Sequence, residues 1–296
     1  MRRRAVKVFI PFLLASFVVS SFLSCFGDKK EKTHVPAIRN DEPLALVNKR
    51  GMWGFIDRTG RVVIEFLYND ALPYSDGLAL VKMGFKFGFI DKNGVMVIPA
   101  KYYDARSFHD GMARVRQMKK WGFIDRSGVL AIHHRYDDAG DFAEGAARVK
   151  IGDWWGFVDK SGRFIVEPRF NGADDFSEGF ARVRVGKKYG FINRNGLYAV
   201  LPMYDNASSF NDGLAAVQSG SAWGAIDSTG YMHVTPRFDF LLSFAEGIST
   251  VEIGFQWGYI DITGEILIFP MFDDALSFSE GLAPVRIVNG WHFIDQ

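Results

Sequence analysis

Short runs of alternating apolar and polar residues follow one another along most of the chain. Ala113 to Arg116 (ARVR) alternates small or apolar residues with charged ones, and Trp121 to Asp125 (WGFID) places Trp121 and Phe123 on one face of an extended segment. Period-two alternation of this kind is typical of half-buried strands. A third such run spans Val129 to Ile132, and only short polar segments separate the three runs. This pattern predicts an antiparallel, three-stranded meander with tight turns.

The predicted meander recurs at a fixed interval of 34 residues. Its Trp-Gly-Phe-Ile-Asp phrase has eight near-copies, with no insertion or deletion between them, which begin at Trp53, Phe87, Trp121, Trp155, Tyr189, Trp223, Trp257 and Trp291. One position is valine in all eight units, namely Val47, Val81, Val115, Val149, Val183, Val217, Val251 and Val285. Fixed self-similarity at this interval is the mark of a repeat array whose units cover one another's apolar faces.

The segment between two meanders has room for a short fourth strand, as in Tyr136 to Gly145. Counting the runs gives eight first strands, eight second strands and seven third strands. The predicted fold class is therefore all-β, with tandem 34-residue antiparallel β-meander repeats in a β-propeller-like ring of seven to eight units. An open β-solenoid is the alternative, because three strands per unit is few for a propeller blade.

The units resemble the WG-repeat family, once called KWG repeats in spirochaetal proteins. The motif parts that carry the resemblance recur in order, and in one unit they are Lys120 to Asp125, Gly128, Tyr136 to Ala139 and Phe142 to Ala147. The resemblance covers about residues 44 to 295 and implies an all-β repeat protein, commonly of the cell envelope, without defined catalytic residues. The chain departs from the motif at Phe87, Tyr189, His292 and the apolar segment Phe238 to Leu242.

The N-terminal segment predicts export and lipidation. Four basic residues precede the apolar run Val8 to Leu23, which is short for a membrane span and suits a secretory signal. The run is followed by Ser24 and then Cys25, the only cysteine, in an arrangement that resembles the loose lipoprotein signals of spirochaetes. We predict a lipoprotein signal peptide at 1–24, a lipidated Cys25 with a flexible tether at 25–41, and a WG-repeat domain at 42–296. A plain secretory signal with an incidental cysteine is the alternative.

Charge and motifs narrow the possible functions. The formal net charge is +1, and loss of the four basic residues in 1–24 would make it −3, which argues against a nucleic-acid binder. The sequence contains no P-loop, no G-x-S-x-G and no HExxH motif, so we predict no catalytic residues and no cofactor. The recurring Asp before x-x-Gly suits a turn better than a calcium loop, which needs several oxygen ligands, so no metal site is predicted.

Two groups of residues are candidate binding sites. Three consecutive units carry basic pairs on the predicted outward face of the first strand, namely Arg114 with Arg116, Arg148 with Lys150, and Arg182 with Arg184. They form either a groove for an anionic partner or a solvated face whose charge is neutralised by acids such as Asp110, Glu144 and Glu178. Aromatic residues also stand at otherwise polar turn tips, at Phe85, Trp154 and Phe255.

The sequence thus predicts a non-catalytic, lipid-anchored envelope protein whose repeat domain is a protein-interaction scaffold. A glycan- or polyanion-binding surface protein is the alternative. The expected partners are another envelope protein or an anionic glycan, together with the membrane through the N-terminal lipid, and no nucleic acid.

Overall fold

The computed structural model describes residues 43–288 and 290–296. The predicted signal peptide, Cys25 and the tether lie outside the described residues. Within the described residues the chain forms thirty β-strands in eight antiparallel sheets, numbered 1 to 8 in chain order. Sheets 3 to 7 have a two-residue strand followed by three long strands, sheet 2 has four strands of five to seven residues, and sheets 1 and 8 have three strands each. The predicted meander and its short fourth strand are therefore confirmed.

Sheets 1 to 4 contain the first fifteen strands. Sheet 1 has β1 (Ala45–Lys49), β2 (Met52–Ile56) and β3 (Val62–Tyr68), and sheet 2 has β4 (Asp70–Ser75), β5 (Leu78–Met83), β6 (Lys86–Ile90) and β7 (Met96–Tyr102). Sheet 3 has β8 (Asp104–Ala105), β9 (Met112–Gln117), β10 (Lys120–Asp125) and β11 (Leu130–Tyr136). Sheet 4 has β12 (Asp138–Ala139), β13 (Ala146–Ile151), β14 (Trp154–Asp159) and β15 (Phe164–Phe170).

Sheets 5 to 8 contain the other fifteen strands. Sheet 5 has β16 (Gly172–Ala173), β17 (Phe180–Val185), β18 (Lys188–Asn193) and β19 (Tyr198–Tyr204), and sheet 6 has β20 (Asn206–Ala207), β21 (Leu214–Ser219), β22 (Ala222–Asp227) and β23 (Met232–Phe238). Sheet 7 has β24 (Phe240–Leu241), β25 (Ile248–Ile253), β26 (Gln256–Asp261) and β27 (Ile266–Phe272). Sheet 8 has β28 (Asp274–Ala275), β29 (Leu282–Ile287) and β30 (Gly290–Asp295).

The glycine of the recurring phrase lets the second and third long strands approach closely. In sheet 3 the register between β10 and β11 shifts between Trp121 and Phe123, which brings the β11 backbone over Gly122. A Cβ atom on Gly122 would lie 2.5 Å from the carbonyl oxygen of Ile132. The equivalent position in sheet 8 is His292, on the last strand of a sheet that lacks a third long strand. Among residues 43–288 and 290–296 no strand pairs with β30 on that side, so there is room for a side chain.

The hydrophobic core lies between neighbouring sheets rather than within one unit. One cluster joins Trp121, Phe123 and Tyr136 of sheet 3 to Phe142 and Val149 of sheet 4. The rings of Phe123 and Phe142 meet edge to face, with their centroids 4.9 Å apart. Because each large aromatic side chain can bury about 150–250 Å², a unit gains most of its core only when the next sheet covers it. The expectation that units depend on their neighbours is thus confirmed.

A column of acidic side chains also links each sheet to the next. In sheet 3, Asp110 adopts a left-handed backbone conformation (φ 54°), and its carboxylate accepts a 2.6 Å hydrogen bond from the Gly145 amide of sheet 4. The same bond is present in each of the five remaining pairs of neighbouring sheets from sheet 2 to sheet 8. The acceptors there are Asp76, Glu144, Glu178, Asp212 and Glu246.

This column stops at the ends of the array. Pro43 occupies the position of the donating glycine in sheet 1, and a proline has no N–H to donate to Glu280 of sheet 8. No strand pairing joins sheet 1 to sheet 8 among the described residues. The array is therefore propeller-like in its units, without a closing strand pair in the described part.

Candidate functional site

The recurring aspartates organise the turns between the second and third long strands. In sheet 3, Asp125 Oδ1 accepts hydrogen bonds from the backbone N–H groups of Ser127 (2.9 Å) and Val129 (3.0 Å) and from the Ser127 hydroxyl (2.6 Å). The predicted turn role is confirmed. In sheet 1 the hydroxyl of Thr59 is the main cause that lowers the pKa of Asp57 to about 2. Among residues 43–288 and 290–296, no three His, Cys, Asp or Glu side chains gather as a metal site.

The first member of each basic pair does not point into solvent, which corrects the predicted outward face. Arg114, Arg148 and Arg182 extend from their own sheet to the next one, and their side chains are only 18%, 28% and 24% exposed. Their Nη1 groups donate to the carbonyl oxygens of Ala139, Ala173 (2.7 Å) and Ala207, respectively. Because both faces of a sheet are covered in a stacked array, alternation along a strand does not identify a solvent face.

These three arginines are also paired with carboxylates, so their guanidinium groups are not free to bind an anionic partner. Arg114 Nε lies 2.8 Å from Asp141 and Arg148 Nε lies 2.9 Å from Asp175, and Arg182 Nε donates to Asp174. The acids predicted to neutralise them have other partners. Asp110 pairs with Lys160 (2.7 Å), Glu144 pairs with Arg194 (2.8 Å), and Glu178 accepts from the Gly213 amide. Neutralisation of the arginines by acids, one of the two predicted possibilities, is therefore present, but the acids are Asp141, Asp175 and Asp174.

The second member of each pair has a different environment in each sheet. Arg116 of sheet 3 forms an ion pair with Asp104, with Nη2 and Oδ2 3.1 Å apart. Lys150 of sheet 4 places its ammonium group 6.0 Å from the ring centre of Trp155. Arg184 of sheet 5 donates only to two backbone carbonyls, those of Gly186 (2.9 Å) and Asn171 (3.0 Å). Within the described residues, Arg184 has no carboxylate partner within 4.0 Å.

Arg184 lies in a shallow pocket between sheets 4 and 5, which we call the Arg184 pocket. Its volume is about 280 Å³, and its lining includes Arg148, Arg182, Trp155 and Tyr189. The guanidinium carbon of Arg148 lies 5.2 Å from the Trp155 ring centre, and that of Arg182 lies 5.0 Å from the Tyr189 ring centre. Burial raises the pKa of Asp175, which pairs with the lining residue Arg148, although the charge of Arg148 opposes this effect. The pocket thus combines cationic groups with two aromatic walls.

Phe85 and Phe255 stand at the tips of hairpins between the first and second long strands, whereas Trp154 is the first residue of β14, beside such a tip. Phe85 of sheet 2 and Phe255 of sheet 7 are each 90% exposed, and Trp154 of sheet 4 is about half exposed. Met118, at the same hairpin of sheet 3, is also exposed and adopts a left-handed conformation, with φ 53°. Exposed apolar side chains therefore lie at or beside the tips of three consecutive sheets, 2 to 4.

Comparisons with known proteins give the family of this chain. Seven consecutive segments match the WG-containing repeat, at 53–86, 87–121, 121–153, 155–189, 189–221, 223–254 and 257–291. The chain belongs to the WG-containing repeat family. No curated protein matches it.

Solved structures support the fold of this WG-repeat array. A crystal structure described as that of the eukaryotic initiation factor aligns with a TM-score of 0.57 and 11% identity, covering 82% of this chain and 78% of that chain. Kluyveromyces lactis Hsv2p aligns with a TM-score of 0.44 and 10% identity, covering 73% and 88%. Identities this low concern the fold alone. The first alignment supports a propeller-like arrangement of the WG repeats.

Two features of the WG-repeat surface were missed by sequence reasoning. Gly172 interrupts a position that is acidic at Asp70, Asp104, Asp138 and Asp274, and this break leaves Arg184 without an acid. Met118 replaces the glycine found at the same turn position in sheets 2 and 4 to 7. Both signals are present in the repeat columns. In the part of the chain that the structure describes, no helix is long and apolar enough to cross a membrane.

Proposed function

We propose that this WG-repeat protein is a non-catalytic scaffold that binds another protein through the tips of its hairpins. The observation that carries the proposal is the exposure of Phe85 and Phe255, each 90% accessible at a turn tip. Aromatic residues are enriched at protein interfaces, where their large apolar surface is removed from water. A repeat array presents such tips at a fixed spacing, which suits the recognition of an extended partner surface.

The tips are held in place, which favours recognition. The hairpin with Phe85 is fixed by a 2.7 Å bond from the Gly84 amide to Asn69 Oδ1, and that with Phe255 by a 2.7 Å bond from the Gly254 amide to Asp239 Oδ2. A pre-ordered contact residue loses less conformational entropy on binding. Phe255 also has φ 67°, a left-handed conformation that costs about 1–2 kcal/mol for a residue with a Cβ atom. Strain retained at an exposed aromatic residue supports a functional role.

The proposed place of the scaffold is the bacterial cell envelope, with Cys25 lipidated and the tether separating the lipid from the repeats. The support is the order of basic residues, apolar run and lone cysteine in the sequence. A Cys25→Ala variant should lose labelling by a fatty-acid analogue and should leave the membrane fraction. Unchanged labelling of Cys25→Ala would refute the lipidation.

The scaffold role is tested by comparing two sets of exposed aromatic residues. Photo-crosslinking groups placed beside Phe85 and Phe255 should capture a defined envelope protein, and the double variant Phe85→Ser with Phe255→Ser should lose that capture. Phe269→Ser is the matched control, because Phe269 is 74% exposed but lies on β27 and not at a hairpin tip. Equal capture by the double variant and the parent would contradict the proposal. Capture that survives protease treatment of the extract would assign the surface to a glycan instead.

A further inference from the structure

The inference concerns one position on the short strand, which faces the second basic residue of the neighbouring long strand. In sheet 3, Asp104 of β8 is the register partner of Arg116, and their side chains form the 3.1 Å ion pair. In sheet 8, Asp274 of β28 is the register partner of Arg286, with a nitrogen–oxygen distance of 3.6 Å. In sheet 5 the register partner of Arg184 is Gly172. Sheet 5 therefore has the arginine of this pair without its acid.

The space beside Gly172 lies within reach of the guanidinium group. A Cβ atom at residue 172 would lie 3.3 Å from Arg184 Nε and 3.8 Å from its Nη2. An arginine has five N–H donors, and Arg184 directs two hydrogen bonds to neutral peptide carbonyls. The remaining donors lie beside the place where the aspartate of sheets 3 and 8 presents its carboxylate.

The charges around this space favour an anion. Three guanidinium groups line the Arg184 pocket, those of Arg148, Arg182 and Arg184. Asp175 pairs with Arg148 and Asp174 pairs with Arg182, so, among the described residues that line the pocket, the positive charge without a carboxylate partner is that of Arg184. Arg148 and Arg182 are held by carbonyl oxygens of the next short strands, at Ala173 and Ala207. Both are also engaged by carboxylates, whereas the guanidinium group of Arg184 has N–H donors that no described acid engages. Clustered charge of one sign in a partly desolvated pocket raises the local concentration of the opposite charge.

We propose that the Arg184 pocket receives a carboxylate from an acidic segment of a partner protein. The inference deepens the scaffold role and rests on it, since the ligand is a peptide side chain. A carboxylate is favoured because the equivalent place in sheets 3 and 8 holds an aspartate, and because the planar guanidinium fork matches carboxylate geometry. A peptide is favoured because the carboxylate at the equivalent place in sheets 3 and 8 belongs to an aspartate side chain on an extended backbone.

Fluorescence anisotropy with the purified full chain tests the proposal. The probe is a dye-labelled peptide with four consecutive glutamates, and its counterpart has four glutamines. The glutamate peptide should bind about tenfold more tightly than the glutamine peptide or better, as expected for a contact to a charged partner. Its binding should weaken with added salt, because salt screens charges that remain partly exposed. No preference for glutamate over glutamine would overturn the proposal.

Three variants make the test specific to this pocket. Gly172→Asp supplies the acid of the sister sheets and should weaken binding of the glutamate peptide by about tenfold, with an unchanged near-ultraviolet circular dichroism spectrum. Arg286→Gln is the matched control, since that arginine is already paired with Asp274, and it should bind like the parent. Asp104→Gly should create a second site at Arg116 and raise the stoichiometry from one peptide to two. Equal binding by Gly172→Asp and the parent would overturn the assignment.

Two further measurements separate the possible ligands and the two proposals. A galacturonate oligosaccharide that binds tenfold more tightly than the glutamate peptide, and competes with it, would replace the peptide by an acidic sugar and overturn the inference. The Phe85→Ser and Phe255→Ser double variant leaves the Arg184 pocket intact, so it should bind the glutamate peptide like the parent. Loss of peptide selectivity while tip-dependent capture persists would refute the pocket alone. Peptide selectivity without tip-dependent capture would refute the hairpin tips alone.

Discussion

Replacing Gly122 by alanine tests why the WG phrase contains glycine. The new Cβ would lie 2.5 Å from the Ile132 carbonyl oxygen and 2.8 Å from the His134 amide nitrogen, both of which are backbone atoms of β11. Real Cβ contacts are almost never shorter than 3.0 Å, so β11 has to move by about half an ångström. Gly122 does not have a positive φ. Its replacement therefore measures the close approach of two strands and not a backbone conformation reserved for glycine.

The structure sets the size of the expected loss. Ile132 and Tyr136 of β11 are both buried in the core between sheets 3 and 4, so the strand cannot shift without disturbing them. Overpacking of a core costs about 1–3 kcal/mol when side chains can adjust. Here the backbone itself must move, and each weakened cross-strand hydrogen bond adds about 1 kcal/mol. We expect the free energy of unfolding to fall by about 3 kcal/mol, a large part of the about 5–15 kcal/mol of an ordinary domain.

Urea unfolding of the full chain, followed by tryptophan fluorescence and far-ultraviolet circular dichroism, gives the measurement. His292→Ala is the matched control, because it changes the same repeat position in sheet 8, which has no third long strand over it. That control should change the free energy of unfolding by less than about 1 kcal/mol. A comparably small loss for Gly122→Ala would refute the steric reasoning, and equal large losses for both variants would assign the effect to something other than the approach of β11.

The remaining predictions concern the same framework. Trp121→Ala should lower the free energy of unfolding by about 3–5 kcal/mol, since Trp121 is only 6% exposed. Trp291→Ala in sheet 8 should lower it clearly less, and urea titrations that give equal losses for the two variants would contradict this. Met118→Gly should raise the free energy of unfolding by about 1 kcal/mol, because glycine adopts the left-handed conformation of residue 118 without strain. A lower melting temperature for this variant would contradict this. Hydrogen bonds lower the pKa values of Asp57 and Asp227 to about 2 in the folded chain, from about 3.9 when unfolded. The two ionised carboxylates therefore stabilise the folded chain fully above about pH 4, and this contribution is lost as the pH falls towards 2. Replacing both by asparagine should make the unfolding midpoint less sensitive to pH between 4 and 2, and an unchanged pH dependence would contradict the turn mechanism.

Much of the fold was predictable because the repeat columns encode it directly. The 34-residue interval fixed the number of units, and alternation in Ala113 to Arg116 and Trp121 to Asp125 identified β9 and β10. The third strand was only partly predicted, since β11 extends to Tyr136 beyond the predicted end at Ile132. The register shift between β10 and β11 hides the alternation there, because a bulge changes which residues face the core.

The surroundings of the basic pairs could not be predicted from alternation alone. A period of two separates Arg114 from Val115 across the sheet, but it does not say whether the second face meets water or another sheet. In this array it meets another sheet, and Arg114 reaches Ala139 and Asp141 there. Phe85 and Phe255 were identified correctly as residues at turn tips, because a two-residue turn leaves its side chains outside the sheet. Trp154 was not, since it is the first residue of β14 and the register partner of Ile151.

Three of the departures from the repeat columns have different physical origins, and comparing them singles out the Arg184 pocket. Phe240 replaces an acid, and its ring lies 5.0 Å from that of Trp223 and 6.0 Å from that of Trp257, so an apolar contact replaces the ion pair. His292 replaces a glycine on β30, which pairs with no third long strand in the described part of the chain. Gly172 fits neither case, since it lies in the middle of the array and no described side chain supplies the missing carboxylate to Arg184. A charged group left without its counterpart inside an otherwise repeating framework is the position where an external ligand would gain most, because the framework has already held the guanidinium group in place.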